Sequence, residues 1–162
     1  MFLSQGVCYL AETLGYYMRF FATGEPSPTL KSVGEILTQA HPDMEFTDAT
    51  LHKQGIPYGA LEVNVLGEEM FEEEREEFLA DLADDDSPAA ARVRQALHNC
   101  QASVVLQVLG GSLEPETVHS LFDILRETLS RESGGLMQAD GEGFYDGPNL
   151  IWPLEEDGQS QI

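Results

Sequence analysis

Two short apolar stretches, YYMRFFA at residues 16–22 and ASVVLQVL at residues 102–109, decide the fold class that the sequence predicts. Both are rich in aromatic or β-branched residues, which is typical of β-strands. A proline that marks a helix start follows each of them, Pro28 in the first half and Pro115 in the second. Apolar residues then recur three or four positions apart, which indicates an amphipathic helix after each strand.

Further short strands follow each helix, so both halves, residues 16–66 and 102–154, are predicted to run strand, helix, strand, strand. This order predicts the α+β class: a mainly antiparallel sheet with helices packed on it, in a single domain over residues 1–162. The two halves are joined by an acidic helical segment within residues 68–100. Divergent duplication and coincidence both stay open as explanations of the repeated order. Pro153 predicts that the last strand lies at a sheet edge.

The first half also predicts where its elements begin and end. Ser27 is the expected N-cap of the first helix, with Pro28 as its first residue. Residues 44–49 are predicted to form a short strand, followed by a loop that contains Pro57. Residues 60–66, ALEVNVL, alternate between apolar and polar side chains and predict the next strand.

The charge of the chain is strongly one-sided. Its 162 residues include 29 Asp and Glu against 8 Lys and Arg, a formal net charge of −21. This balance excludes the usual electrostatic route to nucleic acid or to an anionic membrane surface, because that route needs Lys and Arg to displace counterions. No apolar run approaches the roughly 20 residues that span a bilayer. A basic protein partner is compatible with the charge.

The amino terminus and the two cysteines predict a cytoplasmic protein. The first basic residue is Arg19, so the chain start lacks the basic region and the clean apolar stretch of a secretory signal. Cys8 and Cys100 lie far apart and form no C-x-x-C motif. Two buried reduced thiols are therefore favoured over a single disulfide.

Residues 68–86 are the most acidic part of the chain, with eleven acids and one base, Arg75. The apolar residues among them recur at roughly helical spacing, which predicts an amphipathic helix docked on the fold with its carboxylates in water. Those apolar residues are Met70, Phe71, Phe78, Leu79 and Leu82. Two interpretations stay open: a solvated helix face, or a face complementary to a basic partner. The second interpretation assigns partner binding to Glu69, Glu72, Glu73, Glu76, Glu77, Asp84 and Asp85.

Residues 140–147, DGEGFYDG, place three carboxylates on a glycine-rich loop. Hard cations such as Ca²⁺ and Mg²⁺ prefer oxygen ligands, so Asp140, Glu142 and Asp146 are candidate metal ligands. The spacing does not match the calcium loop of an EF-hand. The alternative is a tight connection between two strands, with the glycines supplying unusual dihedral angles and Phe144 or Tyr145 packing inward. No other cofactor is predicted.

The sequence contains none of the common catalytic motifs, such as G-x-S-x-G, H-E-x-x-H, a Walker loop or a dinucleotide-binding glycine pattern. Its four histidines are scattered along the chain. No catalytic residue is assigned, and the sequence favours a protein that is not an enzyme.

The block Leu-x-Gln-Ala-Asp-Gly-Glu-Gly-Phe-Tyr-Asp at residues 136–146 resembles a block in small acidic bacterial proteins of unknown function. That resemblance implies a bacterial intracellular protein and no particular reaction. In size, acidity and gross organisation the chain is also similar to immunity proteins of bacterial toxin systems. This second similarity implies an inhibitor that binds a basic partner.

Three functional hypotheses follow. The first is a non-enzymatic acidic binding protein of the immunity type. The second is a small Ca²⁺- or Mg²⁺-binding module or metal-dependent enzyme that uses the 140–146 loop. The third is an uncharacterised homodimer joined through an exposed strand edge.

Overall fold

A computed structural model describes residues 16–109 and 115–153 of the chain. Within these ranges there are four helices and eight strands, which confirms the predicted α+β class. None of these helices is both long and apolar enough to cross a bilayer. In chain order the elements are β1 (Tyr16–Ala22), α1 (Leu30–Ala40), β2 (Glu45–Thr47), β3 (Thr50–Lys53), β4 (Ile56–Val65), α2 (Glu69–Asp81), α3 (Pro88–Asn99), β5 (Ala102–Val108), α4 (Pro115–Glu132), β6 (Gly135–Ala139), β7 (Gly143–Asp146) and β8 (Asn149–Pro153).

The eight described strands form one antiparallel sheet in the order β2-β3-β4-β5-β1-β6-β7-β8. Its centre pairs strands from the two halves of the chain, because β5 lies between β4 and β1 and β1 also pairs with β6. The halves therefore share one continuous sheet, and β8, which contains Pro153, lies at its edge as predicted. In the first half, the strand beside the central pair of β5 and β1 is the last one, β4. In the second half, the strand beside this pair is the first one after the helix, β6. The repeated order of elements is thus not matched by a repeated order of strands.

Each half contains one strand more than predicted. In the first half, the predicted strand at residues 44–49 is β2, and it ends at Asp48 and Ala49, whose positive φ angles of 52° and 61° turn the chain into β3, a strand that lies where a loop was predicted. In the second half, the predicted turn-rich connection at residues 140–146 contains strand β7, which pairs with both β6 and β8. The sequence signal for a turn was correct in both places, but each turn is shorter than predicted.

Two further boundaries in the first half differ from the prediction. Thr29, and not Ser27, is the N-cap of α1, because Thr29 and Ser32 form a reciprocal capping box in which each hydroxyl accepts a hydrogen bond from the other residue's backbone N–H. Pro57 lies inside β4 rather than in a loop. Pro57 lies in the part of β4 that extends beyond its pairing with β5. Its missing N–H therefore does not interrupt the hydrogen bonds between β4 and β5.

The helices lie on both faces of the sheet and bury two separate apolar clusters. Helices α1 and α4 cover the first face, where Phe20 of β1 is fully buried. Helices α2 and α3 cover part of the second face, where Phe21 and Phe144 pack against Phe78 of α2. Adjacent residues of a strand point to opposite faces, so the neighbours Phe20 and Phe21 belong to different clusters.

Cys100 follows α3 as a buried free thiol, in agreement with the prediction of a reduced cysteine. Loss of hydration in this site raises the pKa of the Cys100 thiol to about 11. Cys8 lies outside the described residues.

Candidate functional site

The acidic segment is folded and docked. The helix predicted within residues 68–86 is present as α2, and Phe71 is buried against the second face while Phe78 and Leu79 are half-buried in the same cluster. Residues seven positions apart lie on nearly the same side of a helix, so Phe71 and Phe78 dock together. The segment then turns and leads into α3, whose N-cap Ser87 accepts a hydrogen bond from the Ala90 N–H.

One apolar residue of this segment is not where it was predicted. Met70 was expected in the docked stripe, but 57% of its surface is exposed. It precedes Phe71 by one position and therefore lies about 100° around the helix from it. Met70 instead shares a side of α2 with Glu74, four residues later, and both border a groove in the sheet.

An arginine on the central strand β1 connects α2 to the sheet. Arg19 projects from β1, and its Nε donates a hydrogen bond to the Glu74 carboxylate. Its Nη1 donates to the Gln138 amide oxygen at 2.8 Å and to the Asp140 carboxylate at 3.1 Å. Because the Arg19 side chain is only 15% exposed, it requires such partners to offset its lost hydration. The guanidinium also lies 5.0 Å from the centre of the Tyr17 ring.

Most of the acidic residues predicted to bind a partner are free to do so. Five of the seven are exposed and form no ion pair with another described residue: Glu69, Glu73, Glu76, Glu77 and Asp84. The first four lie on α2, where Glu73 is three or four positions from each of the other three, which places them along one side of the helix. We call these four residues the α2 acidic face.

The other two predicted partner-binding residues have internal partners. Glu72 accepts hydrogen bonds from the Gly67 backbone N–H and from Arg75, and so it closes the turn before α2. Asp85 accepts a hydrogen bond from the Trp152 indole at 2.8 Å and one from the Ser87 backbone N–H at 2.8 Å. The Trp152 hydrogen bond in particular lowers the pKa of the Asp85 carboxyl below its usual value.

The three candidate metal ligands are not brought together. Asp140 is paired with Arg19, and Asp146 lies 3.2 Å from Arg92. Glu142 accepts a hydrogen bond from the Tyr145 hydroxyl, which raises the pKa of Tyr145 to about 12. No group of three or more His, Cys, Asp or Glu side chains in residues 16–109 and 115–153 is arranged to hold a metal ion. The geometry gives the cation hypothesis no support.

The same loop agrees with the alternative interpretation. Residues 140–142 form a tight turn between β6 and β7, in which Gly141 has a φ of 80°. The left-handed region favours glycine because it has no Cβ. Phe144 packs inward and is 2% exposed.

The groove beside α2 is the part of the second face that the helices leave open. It has a volume of about 570 Å³. Its walls are Met70 and Glu74 of α2 on one side and residues 48–50 of the β2–β3 turn on the other. Its floor consists of side chains from three adjacent strands, in two rows across the sheet: Glu62, Val105 and Arg19, then Ala60, Gln107 and Tyr17.

A larger hollow of about 780 Å³ lies between α1 and β2, and it adjoins the groove at Asp48 and Ala49. Much of its wall is apolar, from Leu30, Met44 and Phe46. Two of the charged groups that border it, Lys31 and Glu35, pair with each other at 2.6 Å. The other two, Glu45 and Asp48, form no ion pair with another described residue, and Asp48 also borders the groove.

One serine–histidine pair occurs where α1 meets α4. His41 Nε2 lies 3.0 Å from Ser120 Oγ. This hydrogen bond connects the C-cap of α1 to α4 on the first face.

Comparisons of the chain with protein-family models, with characterised proteins and with solved structures found no match. The resemblance to acidic bacterial proteins and to immunity proteins is therefore untested and stays a prediction.

Sequence reasoning did not identify the groove or the Arg19 cluster. The available signal was Arg19 itself, the one charged residue in an otherwise apolar strand. A charge in such a position requires a carboxylate partner, because an unpaired buried charge is costly. The identity of that partner, Glu74, depends on tertiary structure and has no local signal.

Proposed function

We propose that this chain is a non-enzymatic acidic binding protein whose α2 acidic face engages a basic protein partner, in the manner of an immunity-type inhibitor. The observation that carries the proposal is that Glu69, Glu73, Glu76 and Glu77 are exposed on a helix that is itself docked, and that none of them pairs with a cation in residues 16–109 and 115–153. Such a helix presents a negative field of fixed shape rather than a diffuse acidic tail.

Two kinds of contact support that fixed shape. The ring of Phe71 anchors α2 in the second cluster, and the Arg19–Glu74 ion pair joins the helix to the central strand. Repulsion among the outward carboxylates is screened over about 8–10 Å at physiological salt. Complementary charge on a partner would relieve the remaining repulsion and raise the rate of association and its specificity more than its affinity.

The proposal is tested with two variants of equal charge. Glu73→Gln with Glu77→Gln removes two carboxylates from the α2 acidic face, and Glu116→Gln with Glu132→Gln removes two exposed ones from α4 on the opposite side of the sheet. The probe is a hexalysine peptide, whose dissociation constant is measured by calorimetry over a series of salt concentrations. We expect about a tenfold loss of affinity at low salt for the α2 variant and less than about threefold for the α4 variant.

An equal loss in both variants would mean that only net charge attracts the peptide, and the proposal would then be wrong. Affinity that does not fall with added salt would also contradict it, because an exposed ionic contact must be screened.

A further inference from the structure

The geometry points to the groove beside α2 as a pocket for one long cationic side chain, a lysine or an arginine, of the basic partner. This inference rests on the proposed function and adds the place where the partner is anchored. The groove is an unpartnered part of the sheet face, and its border is formed by α2 itself through Met70 and Glu74. A partner lying on the α2 acidic face is therefore adjacent to the groove.

The charges that line the groove favour a cationic occupant. Arg19 lies on the floor, but Glu74 and Asp140 already offset its charge. Glu62 on the floor and Asp48 at the wall are exposed and form no ion pair with another described residue. The groove thus presents two uncompensated carboxylates to whatever enters it.

The position of Glu62 separates an incoming cation from Arg19. The two residues lie in the same row of the floor with Val105 between them, because Val105 pairs with Arg19 in β1 and with Glu62 in β4. Adjacent strands are about 4.8 Å apart, so two strand spacings place their backbones roughly 10 Å apart. A cation bound at Glu62 is therefore not forced against the Arg19 guanidinium.

The shape of the groove suits a side chain with an apolar stem. Lysine and arginine carry three or four methylene groups before the charge, and these groups favour apolar contacts. Ala60 on the floor and Met70 on the wall provide such surfaces, and 57% of the Met70 side chain is available for contact. Arginine is among the residues that most often form the energetic centres of protein interfaces, in well-packed pockets.

An anionic occupant is disfavoured by the same observations. The Arg19 Nε and Nη1 groups already donate to Glu74, Gln138 and Asp140. An anion would also be repelled by Glu62 and Asp48. A second copy of this acidic chain would bring the same unfavourable charge.

The test compares Glu62→Gln with Glu45→Gln, an exposed strand carboxylate on β2 outside this groove. Hexalysine and hexaarginine peptides are the probes, and amide chemical shifts of the ¹⁵N-labelled full chain report where they bind. We expect Glu62→Gln to weaken both peptides by about tenfold and Glu45→Gln by less than about twofold. In the wild-type chain, the amides of Glu62 and Val105 should shift on titration, and the relative affinities of the two peptides show which cation fits better.

Each outcome separates this inference from the proposed function. Loss of binding in the α2 variant with no effect of Glu62→Gln overturns the groove and leaves the α2 acidic face in place. Equal behaviour of all variants and their controls overturns both. Chemical-shift changes of groove amides on addition of hexaglutamate overturn the cationic occupant in favour of an anion. Changes that depend on protein concentration without any peptide overturn it in favour of a second copy.

Discussion

The two faces of the sheet differ in what their helices leave uncovered. On the first face, α1 and α4 close over a buried apolar cluster that contains eighteen of the described residues. On the second face, the cluster beneath α2 and α3 contains ten of them, and beside it lies a groove with Arg19, Glu62 and Glu74 in its lining. Apolar burial is the main source of folding free energy, and exposed charge contributes little to it. We infer that the first face chiefly supports stability and the second chiefly supports binding.

The strongest test of this comparison is Phe20→Ala in the first cluster. The Phe20 ring is 0% exposed, so we expect its removal to lower the free energy of unfolding by about 3–5 kcal/mol. Phe78→Ala is the matched change on the second face, where the ring is only half-buried, and we expect a smaller loss of about 1–3 kcal/mol. Urea unfolding of both variants measures the difference. Equal losses would contradict the division of roles between the faces.

The second prediction concerns Arg19, the one cation in the lining of the groove. Arg19→Met keeps an apolar stem of similar length but leaves Glu74 and Asp140 without their cation. These carboxylates are partly exposed, so we expect a loss of about 1–3 kcal/mol rather than the larger cost of a fully buried charge.

The double variant Arg19→Met with Glu74→Gln provides the control. Removing the Glu74 carboxylate, which Arg19→Met leaves without its cation, should restore part of the lost stability, as measured by urea unfolding in a double-mutant cycle. Strictly additive losses would show that the Arg19–Glu74 ion pair does not couple α2 to the sheet.

The sequence predicted the fold class well because its strongest signals are local. Helix α4 begins at Pro115, where the sequence predicted a helix start, and the strand predicted at residues 16–22 is present as β1. The error at Pro57 arose where tertiary contacts decide, because Pro57 is tolerated in β4 owing to where β5 ends. The error at the start of α1 was local, because Thr29 and Ser32, three residues apart, form the reciprocal bond that fixes the first turn.

The candidate site was predictable only where it depends on local sequence signals. The spacing of Phe71 and Phe78 sufficed to predict a docked acidic helix. The groove depends on β5 lying between β1 and β4, which brings Arg19 and Glu62 into one row although they are far apart in the chain. Strand order is a property of the whole fold, and no local pattern in the sequence specifies it.

The smallest expected effect is at Asp85, a residue of the second face for which partner binding and fold stability are alternative roles. This carboxylate was assigned to partner binding, but hydrogen bonds from Trp152 and Ser87 lower its pKa, which indicates that the folded state favours its ionised form. A lowered pKa means that Asp85 stabilises the fold above its unfolded value near 3.8 and that this contribution is lost as the pH falls through the folded value. Asp85→Asn should therefore be less stable than the wild type at about pH 7, and the gap should be smaller at about pH 3, below the unfolded value. Asp84→Asn, at an exposed neighbour, should leave the urea midpoint unchanged at both pH values, and a gap of the same size in that variant would assign the effect to charge in this turn rather than to the Trp152 hydrogen bond.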